Sequence, residues 1–146
     1  MLKNHILMIK LSLIAMLLIS NLALAKNIEI HFAFIGQKND AALLGIQQGL
    51  REANLQGQFL NQKYELELIN VKNVHTHDFS KYIAILTVVD IDTFKKLTDI
   101  LPNIAIFNLS IKNDLLRTAC IKNALHIIPS NMMQLDATNQ LKNKNP

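Results

Sequence analysis

The chain is poor in cysteine: its 146 residues hold one, Cys120. A single thiol excludes an internal disulfide framework and any cysteine-rich zinc site. No G-x-G-x-x-G follows the first strand-like segment, where Gly36 stands alone, and the chain has neither a phosphate loop nor a G-x-S-x-G. Nucleotide binding and hydrolysis by those devices are thereby disfavoured. Charge of one sign is also scarce. Lys+Arg 15 against Asp+Glu 11 gives +4, and setting aside residues 1–25 removes Lys3 and Lys10 and no acid. Nucleic-acid binding needs a concentrated basic face, which Lys95-Lys96 and the terminal Lys142 and Lys144 do not make. Beyond residue 25 no apolar run is long enough to span a membrane. No internal repeat is visible.

What is present is half apolar and 18% charged, the composition of one globular domain with chain enough to bury a core. The first 25 residues stand apart. Met1 to Lys10 carries two lysines and no acid, Leu11 to Leu24 is mostly Leu, Ile, Ala and Met, and Ala23-Leu24-Ala25 precedes the polar Lys26-Asn27. This is the pattern of a secretory signal peptide over residues 1–25. The alternative, an uncleaved anchor, is disfavoured because Ser20 and Asn21 leave the run short of the roughly 20 apolar residues of a span. No cysteine follows it, so a lipid-anchored form is not expected. Cys120, in Thr118-Ala119-Cys120-Ile121, reads as a buried, inert thiol rather than one paired with another chain.

In the remainder, Ile28 to Ile35 reads as a strand that becomes apolar on both faces toward its end, and Gly36 closes it. Asn39 or Asp40 is available to cap a helix over Ala41 to Asn54. Ala41, Gly45, Gly49 and Ala53 recur every fourth residue on it. Glycine inside a helix costs about 1 kcal/mol against alanine, so the stripe is expected to lie close against the sheet. Tyr64 to Val71 alternates apolar and acidic residues, as a strand with one wet face near a sheet edge. Tyr82 to Val89 is a continuous apolar strand signal. A helix over Asp92 to Leu101 follows, stopped by Pro102. Ile104 to Asn108 is a short buried strand, Lys112 to Lys122 holds a short helix, and Ala124 to Ile128 is a fifth strand closed by Pro129. Ser130 can cap a last helix over Asn131 to Leu141. Alternating buried strands and helices imply an α/β fold: an open parallel sheet of about five strands with helices on both faces.

The chemistry on offer is thin. His75-Thr76-His77-Asp78 is the densest polar cluster; H-x-H on a strand would put two imidazoles on one face, with Asp78 as a third ligand. No standard metal spacing is met, and a solvated loop is the preferred reading. Asp90 and Asp92 resemble the paired carboxylates of a glycosidase, but a cap on the helix through Leu101 is the simpler role. Ser110 has no base beside it in sequence, which a nucleophile requires. No enzyme, metal or cofactor is therefore expected. The topology does give a location. In open α/β sheets ligands sit at the carboxyl ends of the strands, here Gly36 to Asp40, Thr87 to Asp90 and Asn108 to Ser110, which suit a small polar ligand.

The strand Ile28 to Gly36 and the small-residue helix Leu43 to Asn54 together resemble the start of type I periplasmic substrate-binding proteins of ABC transporters, the branched-chain amino-acid-binding class. The stretch Ile106-Phe107-Asn108, Asp114-Leu115-Leu116-Arg117, Cys120 and Asn123 to Ser130 is similar to a subgroup associated with pyrroloquinoline-quinone-dependent alcohol oxidation. The family has two α/β lobes that close on a solute. The resemblance implies an exported periplasmic receptor that delivers a small molecule to a permease, touching the membrane only through its signal peptide. Family contacts after the first, third and fourth strands map onto Gln37, Thr87 and Ser110. Family members are longer, so this chain corresponds to a first lobe over residues 26–141, with 142–146 a disordered tail. Between the second and third strands the family's crossover helix is shortened or absent, since a parallel crossover needs a dozen residues or more. Three functions follow as expectations: a solute-binding lobe; a periplasmic interaction module or family remnant that associates with itself or with a second lobe through an exposed face; and, last, a metal-dependent enzyme on His75, His77 and Asp78.

Overall fold

The computed structural model describes residues 27–144. Residues 1–26, which hold the segment 1–25 expected to be a signal peptide, and residues 145–146 lie outside the described residues. Five strands form one all-parallel sheet in the order β2-β1-β3-β4-β5. They are β1 (Ile28–Ile35), β2 (Gln62–Ile69), β3 (Tyr82–Thr87), β4 (Ala105–Asn108) and β5 (Ala124–His126). Among the described residues four α-helices accompany them: α1 (Ala41–Gly57), α2 (Ile91–Ile100), α3 (Asp114–Thr118) and α4 (Asn131–Lys144). The α/β reading of the sequence holds.

Strand β1 lies inside the sheet, and Ala33, Phe34 and Ile35 are fully buried. Side chains alternate along a strand, so Ala33 and Ile35 share one face. With Ile85, Ile106, Phe94 and Leu97 of α2 and Leu116 of α3, they form the core. Phe32 turns to the other face, where it lines an apolar hollow with Ile46, Leu50 and Ala53 of α1. Right-handed crossovers place α1 opposite α2 and α3, because the chain moves one way from β1 to β2 and the other way from β2 onward.

The helix starts obey local chemistry. Asp40 Oδ1 accepts from Ala42 N at 2.9 Å and caps α1. Asp90 caps α2, accepting from the backbone N–H of Asp92 and Thr93, so of the two aspartates it is Asp90 that takes the expected capping role. Asn113 caps α3. Ser130 Oγ accepts from Met133 N at 3.3 Å. The last helix runs three residues beyond Leu141 into the expected tail, with Lys142 and Lys144 in its final turn, where cations complement the helix dipole.

Two expectations are corrected. The glycines of α1 do not approach the sheet: a Cβ built on Gly45 or Gly49 meets nothing within 4 Å. The packed stripe is Leu43, Ile46, Leu50 and Ala53, with the glycines beside it. Cys120 is exposed. It follows α3 with φ 49°, and this left-handed turn at a helix end leaves the thiol in solvent.

The crossover from Asn70 to Lys81 carries only a 3-10 turn, Val71–Asn73. Buried Val74 and Phe79 join the core in a helix's place. That leaves the outer part of this sheet face wet. It is where β2, an edge strand, presents Lys63, Glu65 and Glu67, as the alternation in its sequence anticipates. The edge itself is blunted, since the Asn54 side chain takes both backbone groups of Tyr64, at 2.9 and 2.8 Å. Occupied edge groups resist pairing with other strands.

Candidate functional site

The sheet reverses direction of growth at β1, so the crevice opens between the ends of β1 and β3. There the chain forms a cleft of about 410 Å3, lined by Gly36, Gln37, Val71, Val88, Val89, Asp90 and Ser110. A neighbouring hollow of about 630 Å3 shares Gly36, Gln37 and Val71 and extends along Lys38, Asn70 and Lys72. Gly36 is required at the floor. A Cβ there would stand 2.7 Å from the Phe34 ring and 3.3 Å from the Val88 side chain, and Phe34 is too tightly buried to move.

The three residues expected to touch ligand fall into two groups. Gln37, exposed, and Ser110, half-buried, share the cleft. Thr87 lies beneath it. Only 1% of Thr87 is exposed, and its hydroxyl donates to the Phe107 carbonyl at 2.9 Å, tying β3 to β4. Its backbone carbonyl accepts from Leu109 N at 3.0 Å. The end of β3 therefore offers the cleft Val88, Val89 and Asp90 instead.

Below Ser110 sits a residue whose importance the linear reading passed over. Asn108, fully buried, accepts at Oδ1 from the backbone N–H of Ser110 and Ile111, at 3.1 and 2.7 Å. Its amide donates to Ile111 O at 2.7 Å and meets His126 Nδ1 at 3.0 Å. The amide thus shapes the whole β4 loop. An Asn that closes an apolar strand is the signal that marks it, since a buried amide must find its partners locally. With Asn108 as donor, His126 Nδ1 accepts. Burial, and then the nearby Arg117 charge, push the His126 imidazole below its ordinary value.

The polar side chains of the cleft are already partly engaged. Asp90 is its one carboxylate, and it is spent on the helix cap: Oδ1 takes two backbone N–H groups and Oδ2 takes the Thr93 hydroxyl at 2.7 Å. These bonds, the Thr93 backbone N–H first, hold it below the usual carboxylate range. The Ser110 hydroxyl donates to Val89 O at 3.3 Å, and among the described residues no base is hydrogen-bonded to it. What remains is amide, hydroxyl and backbone groups around a small apolar floor.

The His75-to-Asp78 segment does not form the strand that an H-x-H metal site needs. Asp78 accepts from Ser80 N at 2.9 Å, and His77 Nε2 lies 2.9 Å from the Tyr82 hydroxyl. That hydroxyl donates to Glu67 at 2.6 Å, as does Lys81 at 2.7 Å. Among the described residues, the group able to gather three metal-ligating atoms lies elsewhere: Glu29, His31 and Glu65. Also among the described residues, no helix is long and apolar enough to cross a membrane. No family model, curated protein or solved structure matches the chain.

Proposed function

We propose that this chain is a non-catalytic, exported solute-binding lobe, of the kind that serves an ABC permease, and that it takes a small polar molecule at the carboxyl edge of its sheet. One observation carries the reading. The switch-point cleft gathers Gln37 and Ser110 around backbone groups, and its one acid is already engaged as a cap. Such a site selects by hydrogen bonds and leaves its ligand unchanged. The cleft is one-sided, so strong retention requires a second surface from a second lobe or a partner chain.

The test is thermal unfolding of the purified chain against amino acids, short alcohols, aldehydes and acids. A ligand at 100 times its dissociation constant adds about 2.7 kcal/mol. Gln37→Ala and Ser110→Ala should abolish the shift. Thr87→Val should lower stability by about 1 kcal/mol and keep the shift, because its hydroxyl faces Phe107. No shift with any compound, or a shift that survives both alanine variants, sinks the proposal.

A second reading, an interaction module, has its own observation. Leu86, Phe107 and Leu125 stand side by side in register on the α1 face of the sheet. Leu125 is 45% exposed, and Ile83 and Ile127 are each 59% exposed. Beside them an apolar hollow of about 370 Å3 runs along α1 past Gly49. Exposed apolar side chains favour association when they share a face, as Leu125 and Ile127 do. Sedimentation analysis decides it: a dimer that Leu125→Glu converts to monomer supports this reading, and a monomer at all concentrations removes it.

A further inference from the structure

The wet part of the sheet carries a second constellation, remote from the cleft. Glu29 and His31 are alternate residues of β1 and share a face. Glu65 of β2 stands directly opposite His31 in the parallel register. His31 Nδ1 lies 3.3 Å from one Glu65 oxygen, and His31 Nε2 lies 3.8 Å from a Glu29 oxygen. One ligating atom from each of the three residues can be chosen so that all lie within 4.8 Å of one another. Tetrahedral zinc, with bonds of about 2.0–2.2 Å to nitrogen and oxygen, sets its ligand atoms about 3.3–3.6 Å apart. The 4.8 Å limit is wider than that by a little over 1 Å, and Glu29, with 56% of its side chain exposed, is free to close the difference.

We propose that Glu29, His31 and Glu65 bind one divalent transition-metal cation, with water in the fourth position. The donor set, one imidazole and two carboxylates, suits zinc and its neighbours. The backbone is already ordered for it. Two of the ligands sit on an interior strand and one on the edge strand paired to it, so the geometry does not depend on a loop. Lys63 orients the site as well: its ammonium binds the other oxygen of Glu65 at 2.6 Å, which leaves the remaining oxygen toward His31. The positive charge of Lys63 weakens the cation's hold, and the two carboxylates outweigh it.

The position gives the cation its role. The crossover between β2 and β3 lays no α-helix over this face, and the cation clips edge strand β2 to β1 there. His31 is five residues from Gly36 along β1, about 16 Å at 3.3 Å per residue, so the clip is separate from the cleft and independent of the reading proposed for it.

Zinc titration by calorimetry in a non-coordinating buffer tests this. The purified full chain should carry Cys120→Ser, because the exposed thiol competes for zinc. One ion per chain is expected, with a midpoint of thermal unfolding that rises with zinc. His31→Gln and Glu65→Gln should each weaken binding at least about tenfold, the loss that even an outer-shell partner brings. His77→Gln, beside Glu67, should leave it unchanged. If either glutamine variant fails to fold, zinc-induced NMR shifts in the Cys120→Ser chain answer the question: they should centre on Glu29, His31 and Glu65. No uptake at millimolar zinc, uptake indifferent to His31→Gln, or shifts centred on His75 to Asp78 overturns the proposal.

Discussion

Replacing Gly45 and Gly49 by alanine should stabilise the protein. Both lie inside α1, where glycine costs about 0.8–1.0 kcal/mol against alanine, through the larger freedom it loses on folding. The opposing term is steric, and here it vanishes: a Cβ at either position meets nothing within 4 Å. Helix propensity counts residue by residue, so the two together should contribute about 2 kcal/mol. At about 4 °C per kcal/mol for a domain of this size, the double variant should melt about 8 °C higher, read by circular dichroism. Gly57→Ala is the control of opposite sign. Its Cβ would stand 2.5 Å from the Gln62 carbonyl oxygen, a backbone atom that cannot step aside, and overpacking of this kind costs about 1–3 kcal/mol. A lower midpoint for Gly45→Ala or Gly49→Ala would refute the reasoning. It would mean that the stripe lies against another surface, and in a dimer that surface would be the partner's. The assay therefore also bears on the interaction-module reading.

Asn108→Ala should cost about 3 kcal/mol or more by urea unfolding, since it strands two backbone N–H groups, one carbonyl and the His126 ring; a loss under about 1 kcal/mol would show that the β4 loop holds its shape without the amide. For His126, the folded imidazole titrates below its ordinary value of 6.5. The unfolded chain therefore binds the proton more readily, so stability falls as pH drops below 6.5 and levels off above it. His126→Gln should remove that slope. Glu65 and Glu67, lowered from 4.5 by Lys63 and Lys81 respectively, lose stability only in the more acid window below 4.5, so the two effects separate.

Much of the architecture is legible along the chain because burial imposes a period. The interior strands β1, β3 and β4 carry apolar runs, as strands covered on both faces must. Edge strand β2 alternates lysine and glutamate with apolar residues, because one of its faces is wet. Asp40, Asp90 and Ser130 mark helix starts because a cap bonds to backbone two or three residues away, a distance the sequence itself encodes. Period and local bonding do not say what lies against a surface. The glycines of α1 suggest close contact, and the fold leaves them open. The small apolar surroundings of Cys120 suggest burial, and the turn after α3 turns it outward. Thr87 sits at the kind of strand end where open α/β sheets hold ligands, yet its hydroxyl faces Phe107, because β4 rather than the cleft occupies that side. Asn108 and His126 are eighteen residues apart and meet only through the β4–β5 register. Glu29, His31 and Glu65 likewise come together only when β1 and β2 pair residue for residue. Local chemistry determined the elements and their ends; the pairing of distant strands decided which side chains face one another, because register and packing depend on contacts that no short stretch of sequence contains.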